Sequence, residues 1–365
     1  MRFETANEWP VRFPRGKNCL NGLAGFFFAS FGPLRGQEFG SKRVLRVLAI
    51  LAFLSVAALR ASTFTENFAG DPAANGWQIF GDPNLFRWDA TNQNLRVTWD
   101  SSQTNSYFFR PLGTILTRDD DFSLSFDLTF DDCASGTTSG KPFAAPTAIG
   151  FLDLDQATRT NFSRGAGINP TSGPRNLVEF NFFPSFDVFL PTIDQVIVST
   201  NNGWLYNDDN LLEMTAGQTF NIHMGYAAAT RTLSTVISNN GAQYGLTQTI
   251  AVPAGFDFRV ATLSVSSYSD ADDIGSVLAH GVVDNFVVVT PPPPVEHLSG
   301  GFVGASWEVQ FTSRSNWVYI LERTTDFQTW MEMTSPLLGT GTTLTLTDTN
   351  PVPGNAAYRV RAQRP

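Results

Sequence analysis

The stretch Asn176-Leu-Val-Glu-Phe-Asn-Phe-Phe-Pro-Ser-Phe-Asp187 decides how this chain folds. As a β-strand it alternates, and one face receives three large apolar side chains: Val178, Phe180 and Phe182. Glu179 and Asn181 then lie side by side on the opposite face. An acidic side chain on so apolar a strand costs stability unless it is paired, hydrogen-bonded or bound to a cation. Glu179 therefore either faces solvent or belongs to a site.

The composition of the remaining chain indicates an all-β protein. The length of 365 residues is a prior for about two domains, and a hydrophobic content of 42% with 32 phenylalanines can fill a sizeable core. After residue 62 the apolar runs are short, are separated by Thr, Ser, Asn, Gly and Asp, and show no long helical periodicity. We therefore expect antiparallel β-sheets joined by turns.

The N-terminal region predicts export. Lys42, Arg43 and Arg46 precede the apolar run Val47–Leu59, and small residues follow at Ala61 and Ser62. This order is typical of a secretory signal peptide, which we assign to residues 41–62. The run is shorter than the roughly 20 residues that a spanning helix needs, so a membrane anchor is the weaker interpretation. Residues 1–40 match neither a domain nor a signal peptide, which indicates that the start codon was assigned too early or that the N-terminus is extended. The predicted location of the protein is secreted or periplasmic.

The distribution of charged residues along the chain limits which classes of partner the protein can bind. Residues 1–61 hold nine of the 24 basic side chains and three of the 33 acidic ones, which leaves residues 62–365 with a net charge of −15. Such an acidic chain is a poor binder of nucleic acid or anionic membranes. It suits divalent cations, neutral sugars or basic partners. Cys133 is the only cysteine after the leader, so no intramolecular disulfide is expected in the exported chain.

Strand patterns divide the exported part in two. Ser123–Phe130 alternates cleanly, and Thr219–Ser238 predicts a hairpin that turns at 227–230. Pro291–Pro294 is a stiff polyproline linker. We therefore predict a large β domain over 63–290, a linker over 291–295 and a small β-sandwich over 296–365.

Three segments resemble the concanavalin A-like lectin/glucanase jelly roll, and within it the L-type legume lectins. Val178–Phe183 resembles that family's metal strand, Ala148–Leu152 its Gly-Ile-Ala-Phe-Phe strand, and Asn221–Leu233 its strand-turn-strand. The resemblance implies that 63–290 is a jelly-roll β-sandwich. The tail over 296–365 resembles the small fibronectin-III-like modules of secreted proteins from environmental bacteria.

The resemblance also implies site residues. The family's metal strand supplies a Glu and an Asp, which here are Glu179 and Asn181, and Asp187 is a candidate for a later acid. An amide is a weaker ligand than a carboxylate for a hard cation, so two metals are not expected, and the alternatives left open are one Ca²⁺ or no metal. Thr147 stands where the family has a sugar-binding Asp, so the usual monosaccharide site is not expected in its usual form.

Two further candidates come from the residues themselves. Glu66 and Asp284 lie on the first and last strands, which commonly pair in jelly rolls, and they form an alternative cation site. The competing interpretation is a polar sheet edge. Trp204 follows the Asn-Asn-Gly turn at 201–203 and is the candidate sugar-stacking residue, with core packing as its alternative.

The favoured function is a secreted, non-catalytic protein that binds a glycan or polysaccharide, with Ca²⁺ as the only cofactor considered. A glycoside hydrolase or polysaccharide lyase of the same fold is the first alternative, and a structural surface or matrix protein is the second. No catalytic residue is assigned, because the retaining-glucanase spacing Glu-x-Asp-x-x-Glu is absent and Asp153-Leu-Asp155 has no glutamate beside it. Whether the protein is an enzyme stays open.

Overall fold

The computed structural model describes residues 61–164, 176–186 and 190–365, apart from the side chains of 208–210. It divides the described chain into a large unit, Ala61–Pro294, and a small one, Val295–Pro365. The segment 1–40, nearly all of the predicted signal peptide and Asp187 lie outside the described residues. Within these ranges no helix has the length and apolar character to cross a membrane.

The large unit is built almost wholly from strands. In chain order they are β1 (Ser62–Glu66), β2 (Gln78–Phe80), β3 (Phe86–Asp89), β4 (Asn94–Asp100), β5 (Ser106–Thr117), β6 (Phe122–Ser135), β7 (Phe143–Ala144), β8 (Thr147–Leu152), β9 (Leu177–Phe183), β10 (Thr192–Val198), β11 (Trp204–Leu211), β12 (Thr219–Ala227), β13 (Thr232–Asn239), β14 (Ala242–Gln243), β15 (Gln248–Ala251), β16 (Arg259–Ser267) and β17 (Gly275–Thr290). The helices are short: 3₁₀ turns at Pro72–Asn75 and Pro83–Leu85, and α1 at Leu154–Ala157.

These strands form two sheets. A seven-stranded antiparallel sheet runs β11-β10-β9-β8-β16-β5-β2, so β9 lies near its middle and β11 and β2 are its edges. A ten-stranded sheet runs β14-β13-β12-β6-β17-β4-β3, and β1, β7 and β15 pair with strands of this path. The predicted fold class, an all-β jelly-roll sandwich with a small β-sandwich after it, is confirmed.

The main core lies between the two sheets and follows the predicted alternation. Phe126 and Phe130 of β6 meet Phe180 and Phe182 of β9, with ring centroids 5.8 Å and 5.2 Å apart in the two pairs. All four rings are buried, as is Phe220 of β12. Burying large aromatic side chains is among the strongest contributions to folding, since each removes roughly 150–250 Å² from water. The expectation that the phenylalanines of β9 face inward is therefore confirmed.

A second, smaller core covers the outer face of the seven-stranded sheet. Leu177, Val196 and Tyr107 belong to it, together with Ala157 of α1. The segment 153–164 lies against this face: the Tyr107 hydroxyl donates to the Ala157 carbonyl at 3.0 Å, and the Asn105 amide donates to the Phe162 carbonyl at 3.1 Å. This part of the outer face is therefore covered by the chain itself.

The small unit contains two further antiparallel sheets. Its strands are β18 (Val295–Val303), β19 (Ser306–Ser313), β20 (Val318–Thr324), β21 (Met331–Glu332), β22 (Leu337–Leu338), β23 (Thr343–Asp348) and β24 (Ala357–Gln363). One sheet runs β18-β19-β23, and in the other β20 pairs with β21, β22 and β24. Phe311 and Tyr319 pack together in its core with ring centroids 4.9 Å apart. Its resemblance to a fibronectin-III module stays a prediction.

Candidate functional site

Strand β9 places the two polar residues of the deciding stretch on the outer face of the seven-stranded sheet. Glu179 pairs with Gly150 of β8 and Val196 of β10, and Asn181 pairs with Ala148 and Asp194. A Cβ on Gly150 would lie 2.3 Å from the Val178 carbonyl oxygen, so only glycine permits this approach of β8 to β9. The register therefore fixes what surrounds the glutamate.

Glu179 is buried, with 1% of its surface exposed, so the solvated-face interpretation is wrong. Its Oε1 accepts a hydrogen bond from the hydroxyl of Tyr268. Its Oε2 forms an ion pair with Nε of Arg164 at 3.4 Å, and that arginine is fully buried as well. Each carboxylate oxygen thus has a donor from the chain itself.

Aromatic rings surround the buried guanidinium. The Cζ atom of Arg164 lies 4.9 Å from the ring centroid of Trp204 and 5.8 Å from that of Tyr268. A guanidinium at such a distance from an aromatic face is attracted by the ring's quadrupole, and more strongly when water is excluded. Arg164 therefore joins the segment 153–164 to the sheet through both charge and stacking.

Burial sets the proton equilibria of this cluster. Burial raises the pKa of the Glu179 carboxyl above its ordinary value, while the Arg164 charge and the Tyr268 hydroxyl act in the opposite direction. Burial, followed by the Glu179 charge, raises the pKa of Tyr268 and of Tyr107 well above the usual range. Both phenols thus keep their protons and act as hydrogen-bond donors at neutral pH.

Asn181 is the second polar residue of β9 and is fully buried. Within the described part of the chain, neither its amide nitrogen nor its amide oxygen has a hydrogen-bond partner. The neighbouring Asp194 accepts a hydrogen bond at 3.1 Å from the backbone N–H of Asn207, at the point where the β10–β11 register shifts. An unsatisfied buried amide costs about 1–3 kcal/mol, so Asn181 lowers the stability of this face.

The two sugar-site candidates lie in different surroundings. Thr147 is buried on β8, and its hydroxyl donates to the Phe182 carbonyl at 3.3 Å. This hydrogen bond links β8 to β9. Trp204 is half-buried at the start of the edge strand β11, and it packs on the second core. Two residues further along, Tyr206 points to the same face and is 40% exposed.

The alternative cation pair lies on the ten-stranded sheet. Glu66 is buried and accepts three hydrogen bonds, from the Phe68 N–H at 2.8 Å, the Asn75 amide at 2.9 Å and the Trp77 indole N–H at 3.1 Å. Asp284 is half-buried, and its pKa is raised by burial and by nearby negative charges, including that of Glu66. Glu66 therefore acts as the hydrogen-bond acceptor that organises the turn after β1.

Among the described residues, those at β9 and those at β1 do not fit a calcium site. At β9 the carboxylate faces a guanidinium, and at β1 all three contacts to the carboxylate are N–H donors. Calcium takes six to eight oxygen ligands. Across the described ranges, no group of three or more His, Cys, Asp or Glu side chains is arranged to hold a metal ion. The calcium prediction therefore stays a prediction.

Sequence reasoning missed Arg164, Tyr268 and Tyr206. The interval 153–175 carries the turn residues of a loop, and nothing in that pattern singles out Arg164. Tyr268 follows directly after β16, where a side chain's direction depends on how the strand ends. Tyr206 had a usable signal, since it keeps the two-residue period of Trp204.

Comparison with solved structures finds legume lectins and their relatives. A peanut lectin bound to a nine-residue peptide is 16% identical, covers 62% of this chain and 98% of its own, and has a TM-score of 0.39. The lectin UEA-II in complex with galactose is 14% identical, with coverages of 63% and 99% and a TM-score of 0.41. A legume lectin-like domain from Entamoeba histolytica is 12% identical, with coverages of 62% and 95% and a TM-score of 0.36.

No protein-family model matches the sequence, and the search of curated proteins found no match.

Proposed function

We propose that this protein is a secreted carbohydrate-binding protein whose large unit binds glycans at the β11 edge of the seven-stranded sheet. One observation carries the proposal: Tyr206 presents a 40% exposed ring on the outer face, two residues from Trp204. A tyrosine ring offers an apolar face for the C–H groups of a pyranose and a hydroxyl for its polar groups. Export is proposed from the signal-like segment 41–62.

The charge of the exported chain restricts the glycan. A net charge of −15 over residues 62–365 repels anionic polysaccharides at low ionic strength. Neutral glycans are therefore the expected ligands. Their binding is expected to depend weakly on salt, because stacking and hydrogen bonds rather than ion pairs hold them.

A glycan array probed with the full chain, with and without EDTA, tests this function. We expect binding to a subset of neutral glycans in both conditions. Tyr206→Ala should weaken that signal about tenfold, which corresponds to about 1.4 kcal/mol for the loss of one stacking ring. Phe143→Ala is the matched control, because Phe143 is also 40% exposed and lies on β7 of the other sheet.

Two results would contradict the proposal. A wild-type protein that binds no glycan in either condition would favour a structural surface protein. Equal losses in Tyr206→Ala and Phe143→Ala would remove the assignment of the site to the β11 edge.

A glycoside hydrolase is the second candidate, and one observation favours it. Asp194 is the direct neighbour of Asn181 across β9 and β10, which makes it the diagonal neighbour of Glu179 on the same face. Diagonal neighbours lie roughly 7–8 Å apart, which is close enough for their carboxyl groups to reach the separation of roughly 6.5–9.5 Å found in inverting glycosidases. Both acids are fully buried, however, and Glu179 already has Arg164 and Tyr268 as partners. Release of reducing sugar from a bound polysaccharide, lost in Glu179→Gln, would establish the enzyme.

A further inference from the structure

We propose that Arg164 supplies the positive charge at Glu179 from within the chain, so that this site on β9 takes no divalent cation. The inference goes beyond glycan binding and does not depend on it. It concerns how the outer face of the seven-stranded sheet is held together.

Both oxygen atoms of the Glu179 carboxylate already have a partner from the chain. Tyr268 donates to Oε1 of Glu179, and Nε of Arg164 lies 3.4 Å from Oε2. A calcium ion must approach a carboxylate oxygen to about 2.3–2.6 Å, where it would compete with these donors for the negative charge of the carboxylate. A donor that it displaced would itself be a buried polar group without its partner.

The positive charge of Arg164 also opposes a cation at this carboxylate. Arg164 is fully buried beside Glu179, and its guanidinium carries a positive charge. A divalent cation on Glu179 would therefore lie close to a fixed positive charge, with little water to screen the repulsion. Glu179 already compensates the guanidinium, so the attraction that a divalent ion would gain from this carboxylate is offset by repulsion from Arg164.

Aromatic rings hold the Arg164 side chain in place. Its guanidinium lies 4.9 Å from the Trp204 ring centroid and 5.8 Å from that of Tyr268. Moving it to admit a cation would break these ring contacts, while the segment 153–164 that carries it stays bound to the sheet through the Ala157 and Phe162 carbonyls. The guanidinium thus has contacts on several sides that a metal would have to disrupt.

The other side chains near Glu179 offer few oxygen ligands for a cation. On the same face, Asn181 offers an amide oxygen, which is a weaker ligand for a hard cation than a carboxylate, and Asp194 offers a carboxylate of which one oxygen already accepts a hydrogen bond from the Asn207 N–H. Together with Glu179 these groups supply fewer oxygen atoms than the six to eight that calcium takes. Over the residues that the structure describes, no three acidic, histidine or cysteine side chains converge there or elsewhere. The internal ion pair is the arrangement that these side chains favour.

The consequence is a sheet face whose order does not depend on metal. The segment 153–164 should stay on the sheet in the presence of a chelator, and the β11 edge beside it should keep its geometry. In a site that a cation organises, by contrast, chelation would release the covering segment.

The test uses the wild-type full chain. Crystals grown with millimolar Mn²⁺ and measured at the manganese absorption edge should show the Arg164 side chain against Glu179 and no anomalous peak beside that carboxylate. In solution, any effect of EDTA or of millimolar Ca²⁺ on the thermal midpoint should be the same in wild type and in Glu179→Gln. An anomalous peak at Glu179 would overturn the proposal, and so would a midpoint that rises with the cation in wild type and does not rise in Glu179→Gln. A cation-dependent rise that persists in Glu179→Gln places the ion elsewhere and supports it.

A pair of variants tests the charge role without a metal. Arg164→Met should lower the midpoint by about 10 °C, since it leaves a buried carboxylate without its charge partner. Arg96→Met is the matched control, because Arg96 pairs with Asp131 at 2.6 Å on an exposed surface, and its midpoint should change by about 1 °C. Equal shifts in the two variants would contradict the proposal.

Discussion

Two buried glutamates on β-strands have arginine partners, and the partners reach them in different ways. Glu322 of β20 pairs with Nε of Arg359 and Nε of Arg361 at 2.6 Å each, and both arginines belong to the neighbouring strand β24. Glu179 of β9 pairs with Arg164, which comes from a segment outside the sheet. The first pair lies within one sheet, whereas the second joins a sheet to its cover.

The difference determines how much each pair matters to its surroundings. Arg361 also pairs with Glu332, and the ring of Trp330 lies 4.1 Å from the Cζ atom of Arg359. Both arginines of the small unit keep contacts and some access to water when Glu322 is lost. Arg164 is sealed from water, so it depends on Glu179 more heavily.

Removing the carboxylate of the large unit should have the largest effect. Glu179→Ala leaves a fully buried guanidinium without its charge partner, and we expect the free energy of unfolding to fall by about 3–5 kcal/mol. Hydrogen exchange of peptides covering 177–183, followed through a urea titration, measures this locally. A loss below about 1 kcal/mol would show that the pair is not a principal support of this face.

The matching change in the small unit should cost less. Glu322→Ala removes two charge-assisted hydrogen bonds, but Arg361 keeps Glu332 as a partner. We expect a loss of about 1.5–3 kcal/mol, read from peptides covering 318–324 in the same experiment. If Glu322→Ala cost as much as Glu179→Ala, the contrast between a pair within a sheet and a pair to a cover would fail.

The pH dependence should be the smallest effect. Burial raises the pKa of Glu179 in the folded protein above the unfolded value of roughly 4.3. The protonated form is therefore favoured by folding, so this contribution to stability is complete below about pH 4 and is lost as pH rises through the folded pKa. Carbon-13 NMR of the Glu179 carboxyl should give a pKa above 4.3, and a value below it would mean that the partners outweigh burial.

The sequence predicted the framework of the fold from alternation alone. The inward direction of Phe180 and Phe182, the hairpin of β12 and β13, and the alternation of β6 all follow from period-2 patterns over five or more residues. Such patterns are local, and the sheet only has to bury the face that they define.

The site could be predicted only in part, because its contacts are not local. The sequence identified Glu179 as a residue that needs a partner, but the partner it suggested was a metal cation and not Arg164. An arginine in a turn-rich segment gives no sign of the strand to which it returns, and Tyr268 lies 89 residues from Glu179. By contrast, Arg359 and Arg361 alternate on one strand opposite Glu322, a pattern that pairing of β20 with β24 makes visible.

The measurement that tests the central claim most directly is a double-mutant cycle on Arg164 and Glu179. The stabilities of Arg164→Met, Glu179→Gln and the double variant would be compared with that of wild type, again from hydrogen exchange of peptides covering 177–183. If Arg164 is the charge partner of Glu179, the double variant should lose about 1–3 kcal/mol less than the two single losses combined. Losses that add to within about 0.5 kcal/mol would contradict the account, because independent side chains give additive effects.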